Sequence, residues 1–158
     1  YGLPAAVGVQ VANPGKLVID IAGEASVLMT MQEMSTAVQY KLPIKIFILN
    51  NQYMGMVRQW QELLHEKNYS ESYTAALPDF VKLAEAYGCV GIQAKKPDEL
   101  DEKINEMISV NKPVIFDCLV DPMENCFPMI PSGKPHNQML LGPEDEKEEV
   151  SDEGKTLV

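Results

Sequence analysis

The stretch GEASVLMTMQEMSTAVQYKLPIKIFILNN, residues 23–51, decides the predicted fold. Its apolar residues recur at helical spacing through Tyr40, and Ser26 is the expected cap of this helix. Pro43 then breaks the helix, and residues 44–49 are continuously apolar apart from one lysine, as in a strand covered on both faces. The stretch therefore predicts a helix that leads directly into a buried strand.

The residues before this stretch extend the pattern. Residues 17–22 are nearly all apolar and β-branched, which predicts a first strand that is also covered on both faces. Residues 3–12 have Pro4 near their start and contain several small residues, which predicts a helix packed closely on a neighbour or a ligand. Two buried strands joined by a helix make a right-handed βαβ unit, so the sheet is expected to be parallel.

The chain after residue 51 continues to alternate helix and strand. The predicted helices follow Gly55 and span 78–87 and 97–110, the predicted strands span 89–94 and 113–120, and 66–75 is a predicted surface loop. This alternation predicts an α/β fold, a three-layer sandwich with a mostly parallel central sheet. We assign residues 1–121 to this domain, 122–142 to a proline-rich arm over the active site, and 143–158 to an acidic tail that is expected to be disordered.

Composition narrows the function classes. The formal net charge of −10 on 158 residues disfavours nucleic acid or an anionic membrane as partner. No apolar run approaches the roughly 20 residues that span a bilayer. The 3 cysteines lack the spacing of a disulfide framework or a zinc site, which favours a cytoplasmic location. Because the chain opens at Tyr1 without an initiator Met, we interpret it as a piece of a larger polypeptide.

Two polar positions follow the first two predicted strands. Glu24 comes directly after the first strand and Asn51 after the second, so both are expected at the same edge of a parallel sheet, where α/β proteins bind ligands. Carboxylate and amide oxygens are ligands that Mg²⁺ takes, and backbone N–H groups at Ala25, Ser26 and around Gly55 could hold phosphate. The alternative is that both positions lie in ordinary turns. The two histidines, at 65 and 136, are isolated from any nucleophile and are expected on the surface.

Several segments carry a resemblance to a known family. Gly23-Glu24-Ala25 followed by Asn50-Asn51 resembles the Gly-Asp-Gly…Asn-Asn signature of thiamine diphosphate enzymes. Within that superfamily the chain is similar to the catalytic subunits of the acetolactate synthase (acetohydroxyacid synthase) family from residue 1 to about 141. The similar segments are YGLPAA at 1–6, LNNQYMGMV at 49–57, QW at 59–60 and PMIPSG at 128–133.

The resemblance implies a thiamine diphosphate-binding (PP-type) domain and roles for individual residues. It implies that Glu24, Asn51 and the main-chain carbonyl of Tyr53 bind Mg²⁺. It also implies contacts with the diphosphate or the thiazolium end of the cofactor for Gly23, Ala25, Ser26, Gly55 and Met56. Met56, Trp60 and Ser132 are implied as walls of the substrate and herbicide site, with Trp60 favouring 2-ketobutyrate as second substrate.

The implied activity is decarboxylation of pyruvate and condensation of the hydroxyethyl unit with pyruvate or 2-ketobutyrate, in branched-chain amino-acid biosynthesis. The resemblance further implies a homodimer or homotetramer with the site at a subunit interface, a possible regulatory small subunit, and FAD only in the full-length enzyme. The activating glutamate is implied on another domain, so no catalytic residue is assigned here and the fragment alone is expected to be inactive.

The sequence departs from the general signature at Glu24, which stands in place of Asp and adds one methylene between backbone and carboxylate. Two alternatives are also kept open. One is another thiamine diphosphate-dependent 2-keto acid enzyme, of the pyruvate oxidase or glyoxylate carboligase type. The other is a non-catalytic module with the same fold.

Overall fold

The computed structural model describes residues 1–143, so the predicted acidic tail lies almost wholly outside the described residues. The chain divides into two compact units: unit 1 comprises residues 1–53 and 74–122, and unit 2 comprises 54–73 and the chain from 123 onward. Unit 1 contains α1 (Gly2–Ala12), β1 (Ile19–Ala22), α2 (Glu24–Thr30), α3 (Glu33–Gln39), β2 (Lys45–Asn50), α5 (Phe80–Tyr87), β3 (Val90–Ala94), a 3₁₀ turn (Pro97–Glu99), α6 (Leu100–Ser109) and β4 (Val114–Leu119). Unit 2 contains α4 (Gly55–Leu64).

The four strands of unit 1 form a parallel sheet in the order β1-β2-β4-β3. The predicted α/β fold with a parallel sheet is confirmed. In the register of β1 and β2, Ala22 pairs with Ile48, so both strands reach the same edge of the sheet. This edge carries the residues that follow each strand, Gly23 and Asn51.

Helices lie on both faces of the sheet, which confirms the three-layer arrangement. On one face, apolar residues of α1, α2, α3 and α5 pack against Ile46, Ile48 and Ile115. On the other face, α6 places Met107 against Val114 and Phe116. The residues of β2 and β4 alternate between these two core clusters because successive strand side chains point to opposite faces.

The expectation that the first strand is covered on both faces is wrong. Asp20 of β1 is buried, but its neighbours Ile19 and Ile21 are 40% and 62% exposed. Leu49 of β2 is 43% exposed. The physical reason is that α6, the helix of unit 1 on this face, packs over β3 and β4 and not over β1.

The predicted single helix capped by Ser26 is also wrong. The helix begins at Glu24 with Gly23 as its extended N-cap, and Ser26 is an exposed residue inside the first turn. It ends at Thr30, and α3 starts at Glu33. The N–H groups of Met34 and Ser35 donate to carbonyls three residues back, which tightens the chain between the two helices. Met34 is thereby completely buried.

The second half of unit 1 agrees with the sequence more closely. Asp79 caps α5 by accepting a hydrogen bond from the N–H of Lys82 at 3.1 Å, and Gly88 ends that helix in the left-handed region with φ of 82°. Pro97 begins a 3₁₀ turn rather than an α-helix, and α6 follows from Leu100. The predicted strands at 89–94 and 113–120 are confirmed to within one residue at each end.

Candidate functional site

Glu24 is the most deeply buried polar side chain at the carboxyl edge of the sheet. It is the first residue of α2, separated from the end of β1 at Ala22 by the N-cap Gly23, and its side chain is fully buried. Its Oε1 accepts a hydrogen bond from the Thr74 hydroxyl at 3.4 Å, and the carboxylate also bonds with the backbone of Asn51. Its Oε2 is buried and finds no hydrogen-bond partner within residues 1–143. Glu24 and Asn51 therefore lie together, at the edge where the sequence places them.

The electrostatics of Glu24 favour a cation beside it. Burial raises the pKa of this carboxyl, and the nearby charge of Asp117 raises it further, whereas hydrogen bonds from the backbone and from Thr74 act in the opposite direction. A buried carboxylate oxygen without a partner is unfavourable unless a proton or a cation accompanies it. The environment of Glu24 thus fits a bound metal ion.

The loop after β2 is fixed by its own side chains. The Asn51 Oδ1 accepts a hydrogen bond from the Tyr53 N–H at 3.1 Å, and the Asn50 Oδ1 accepts one from the Gln52 N–H at 3.2 Å. Gln52 adopts a positive φ of 62°, which the asparagine bonds on either side help to hold. Asn51 and Tyr53 are therefore set in a turn that begins at the sheet edge.

A buried polar network, which the sequence did not predict, supports this edge. The Asn50 amide donates to the Asp117 Oδ1 at 2.9 Å, and the Gln93 amide donates to the Asp117 Oδ2 at 2.7 Å. These residues lie at the carboxyl ends of β2, β4 and β3. A polar residue near the end of each apolar strand was the available signal, but pairing them requires the strand order. The network fixes the strand end from which Asn51 follows.

The protein donors near Glu24 are few. Residues 1–143 contain no group of three or more His, Cys, Asp or Glu side chains that could hold a metal ion. Glu24, Asn51 and a main-chain carbonyl at Tyr53 would leave about half of an octahedral shell to be filled by oxygens from outside the chain. Such a donor set fits Mg²⁺ bound together with phosphate oxygens and water.

Unit 2 holds the other predicted site residues. Gly55 is the first residue of α4, and Met56 is 53% exposed in its first turn. Met56 and Trp60 both line a cavity of about 780 Å³, together with Val57, Gln61, Leu64, His65, Glu66 and Asn68. Ser132 is half-buried in the arm and does not line this cavity. Of the predicted wall residues, Met56 and Trp60 therefore share a cavity.

The comparison with family models decides the family. The model of the thiamine pyrophosphate enzyme C-terminal TPP binding domain matches residues 1–118. This chain belongs to that family. Thiamine pyrophosphate (TPP) is thiamine diphosphate, so the family agrees with the signature at Gly23–Asn51, and the chain is a TPP-binding domain.

Individual relatives are similar over most of this TPP-binding domain. The acetolactate synthase large subunit of Cyanidium caldarium is 50% identical over 141 residues, which are 89% of this chain and 24% of the relative. The mitochondrial acetolactate synthase catalytic subunit of Saccharomyces cerevisiae is 47% identical over 151 residues, 95% of this chain and 22% of the relative. The chain therefore spans about a quarter of the length of these relatives.

A solved structure supports the fold. The thiamine diphosphate-dependent 4-hydroxybenzoylformate decarboxylase of Rhodococcus jostii RHA1 has a TM-score of 0.70 and 31% identity, covering 76% of this chain and 23% of that chain. No helix among residues 1–143 of the TPP-binding domain is long and apolar enough to cross a bilayer.

Proposed function

We propose that this TPP-binding domain forms the diphosphate- and Mg²⁺-binding half of an acetolactate synthase active site. The observation that carries the proposal is the buried Glu24 carboxylate, whose Oε2 has no partner within residues 1–143 and which lies beside Asn51 at the carboxyl edge of the sheet. Two relatives named acetolactate synthase, at 50% and 47% identity, support the enzyme class.

In this proposal Glu24, the Asn51 amide oxygen and the Tyr53 carbonyl would hold Mg²⁺, and the metal would neutralise negative charge on the diphosphate. The first-turn backbone N–H groups of α2 at Ala25 and Ser26, next to Gly23, have no partner inside their own helix and can donate to phosphate oxygens. Gly55 and Met56 lie at the start of α4 and are assigned to the thiazolium end. When bound, the cofactor supplies an electron sink for the charge left by decarboxylation of a 2-keto acid.

The cavity in unit 2 is assigned to the second 2-keto acid. Trp60, Met56 and Leu64 give it apolar walls, which would favour the extra methylene of 2-ketobutyrate over pyruvate by roughly 1 kcal/mol or more. Ser132 is proposed as a further wall residue on the arm. The pyruvate oxidase, glyoxylate carboligase and non-catalytic alternatives have less support, because relatives with the printed name acetolactate synthase match at 45–50% identity.

The remaining features of the whole enzyme stay predictions. These are a homodimer or homotetramer with the site at a subunit interface, a regulatory small subunit, and FAD in the full-length enzyme. The cytoplasmic location also stays a prediction, and the yeast relative is named mitochondrial.

The test uses the full-length protein that contains this chain and, in parallel, the 158-residue chain alone. We expect the full-length protein to convert pyruvate to acetolactate with TPP and Mg²⁺, to prefer 2-ketobutyrate as second substrate, and to lose that preference in Trp60→Leu. We expect the isolated chain to form no acetolactate. A full-length protein that binds TPP but forms no acetolactate would contradict the assignment to this enzyme class.

A further inference from the structure

Helix α4 presents two different faces within unit 2. One face carries the cavity-lining residues Met56, Trp60 and Leu64, which recur at intervals of four. The other buries two polar side chains almost completely, Arg58 at 0% and Gln59 at 1% exposure. Polar side chains this deeply buried are stable only when they are hydrogen-bonded. Their hydrogen-bond partners therefore identify the segment that packs on this face of α4.

Gln59 forms two hydrogen bonds with the backbone of one residue of the arm. Its Nε2 donates to the Cys126 carbonyl at 3.1 Å, and its Oε1 accepts from the Cys126 N–H at 2.8 Å. The Gln59 side-chain amide thus bonds to both the N–H and the carbonyl of Cys126, as a residue on a neighbouring strand would. The Cys126 side chain takes no part in this pairing. The same Nε2 lies 2.9 Å from the Met129 sulfur.

Arg58 forms hydrogen bonds with the two residues that precede Cys126. Its Nη2 donates to the Glu124 carbonyl at 2.9 Å and to the Asn125 Oδ1 at 2.8 Å. Its Nη1 forms an ion pair with Glu62, one helical turn along α4, at 2.6 Å. The guanidinium therefore forms an ion pair within α4 through Nη1 and donates hydrogen bonds to the arm through Nη2.

The arm segment that these residues hold is also the base of the Ser132 loop. Met129 and Leu140 exchange two backbone hydrogen bonds, N–H to O at 2.9 Å and 2.7 Å, which close the loop that carries Ser132. Gln59 contacts Met129 at this closure. One continuous set of hydrogen bonds thus runs from α4 through residues 124–126 to the loop with Ser132.

We propose that Arg58 and Gln59 are positioning residues that lock α4 to residues 124–129 of the arm, so that the cavity wall and the Ser132 loop keep one fixed arrangement. They touch no reacting atom in this proposal. Their effect on the reaction runs through the rotation of α4, which sets where Met56 and Trp60 stand in the cavity. This inference rests on the proposed function for its catalytic consequence, namely the choice of the second 2-keto acid.

The first test measures hydrogen exchange of the arm by mass spectrometry in the full-length protein. Gln59→Met removes both bonds to Cys126 while keeping a side chain of similar length, and we expect the Cys126 amide to exchange roughly ten-fold faster. Gln61→Met is the matched control, because the Gln61 amide donates to the Ser70 carbonyl and not to the arm. It should leave Cys126 exchange unchanged. An unchanged exchange rate of the Cys126 amide in Gln59→Met would contradict the proposal that Gln59 fixes α4 to the arm.

The second test measures products formed from a mixture of pyruvate and 2-ketobutyrate. We expect Gln59→Met to lower the share of the 2-ketobutyrate product several-fold and to raise the KM for the second substrate more than it lowers kcat. Loss of fold alone would reduce both products equally. Faster arm exchange with an unchanged product ratio would overturn the positioning role.

Arg58→Lys provides the second variant if Gln59→Met does not fold. It keeps the charge beside Glu62 but cannot make both arm contacts with the fork of a guanidinium, so we expect smaller changes in the same two measurements. Unchanged exchange and product ratio in that variant would overturn the role of Arg58. If the wild-type protein forms no acetolactate, the proposed function fails, while the exchange measurement still decides whether the lock exists.

Discussion

Glu24 is the residue at which burial and charge conflict most directly. Because burial raises its pKa, the folded chain favours the protonated carboxyl. Its contribution to stability is fully present below the ordinary value of 4.5 and is lost as the pH rises through the higher folded pKa. We expect Glu24→Gln in the cofactor-free 158-residue chain to be more stable than wild type at pH 7 by roughly 1 kcal/mol, with less gain at pH 4.

Urea unfolding at the two pH values measures this difference. Glu85→Gln is the control, since Glu85 is exposed on α5 and its replacement should change stability little at either pH. An equal gain for Glu24→Gln at both pH values would show that the carboxyl does not titrate between them. The same variant should weaken Mg²⁺-dependent TPP binding by the full-length protein, because in the proposed site Glu24 is the charged ligand of the metal.

Sequence reasoning at the residue scale succeeded where adjacency along the chain was enough. Glu24 and Asn51 each lie within two residues of the end of a strand, so a parallel sheet brings them to one edge. It missed Asp117, which contacts Asn50 and Gln93 across three strands. That pairing depends on β4 lying between β2 and β3, and apolar strands of similar composition do not specify such an order.

At the scale of elements, the contact between β3 and α5 depends on Gly91. A Cβ atom there would lie 2.8 Å from both the Cα and the carbonyl oxygen of Val81, and backbone atoms cannot move aside as a flexible side chain can. We expect Gly91→Ala to lower the free energy of unfolding of the 158-residue chain by about 1–3 kcal/mol. Urea unfolding at neutral pH provides the measurement.

Gly8→Ala is the matched substitution in a helix. A Cβ atom at Gly8 of α1 meets nothing within 4 Å, so the change only restricts the unfolded backbone. We expect it to raise stability by roughly 0.5–1 kcal/mol. If Gly91→Ala lowers the free energy of unfolding and Gly8→Ala raises it, the effect at Gly91 comes from packing and not from the loss of glycine as such. A neutral Gly91→Ala would mean that β3 and α5 separate without cost.

The positions of helices and strands were predicted well because their signals are local. Asp79 and Gly88 bound α5 through a cap and a left-handed residue, and both are visible in the sequence. The interruption between α2 and α3 carries no proline or glycine, and it arises because Met34 and Ala37 turn into the core. Such a break is set by tertiary packing, which the period of apolar residues does not report.

At the scale of the whole molecule, the outer face of β1 and β2 is the least predictable feature. An apolar strand can have the same sequence pattern whether helices cover one of its faces or both. The sequence alone could therefore not reveal that Ile19, Ile21 and Leu49 are exposed. The division into two compact units is equally hidden, because residues 54–73 and the arm from 123 onward are distant in sequence.

This exposed face predicts the solution behaviour of the isolated 158-residue chain. Ile21 and Leu49 are 62% and 43% exposed on neighbouring strands, and β1 is an edge strand of the described sheet. We expect the chain to associate as its concentration rises. Replacing both residues with Thr removes apolar area while placing a β-branched side chain, which strands favour, at each position. We expect this double variant to weaken association roughly ten-fold.

Sedimentation velocity over a range of concentrations measures the association. Met29→Gln serves as the control, because Met29 is 71% exposed but lies on α2, away from this sheet face. If association is driven by scattered apolar residues, the control and the double variant will weaken it equally. If association is driven by the strand face, only the double variant will weaken it, because Ile21 and Leu49 lie on the same face of adjacent strands whereas Met29 lies on α2.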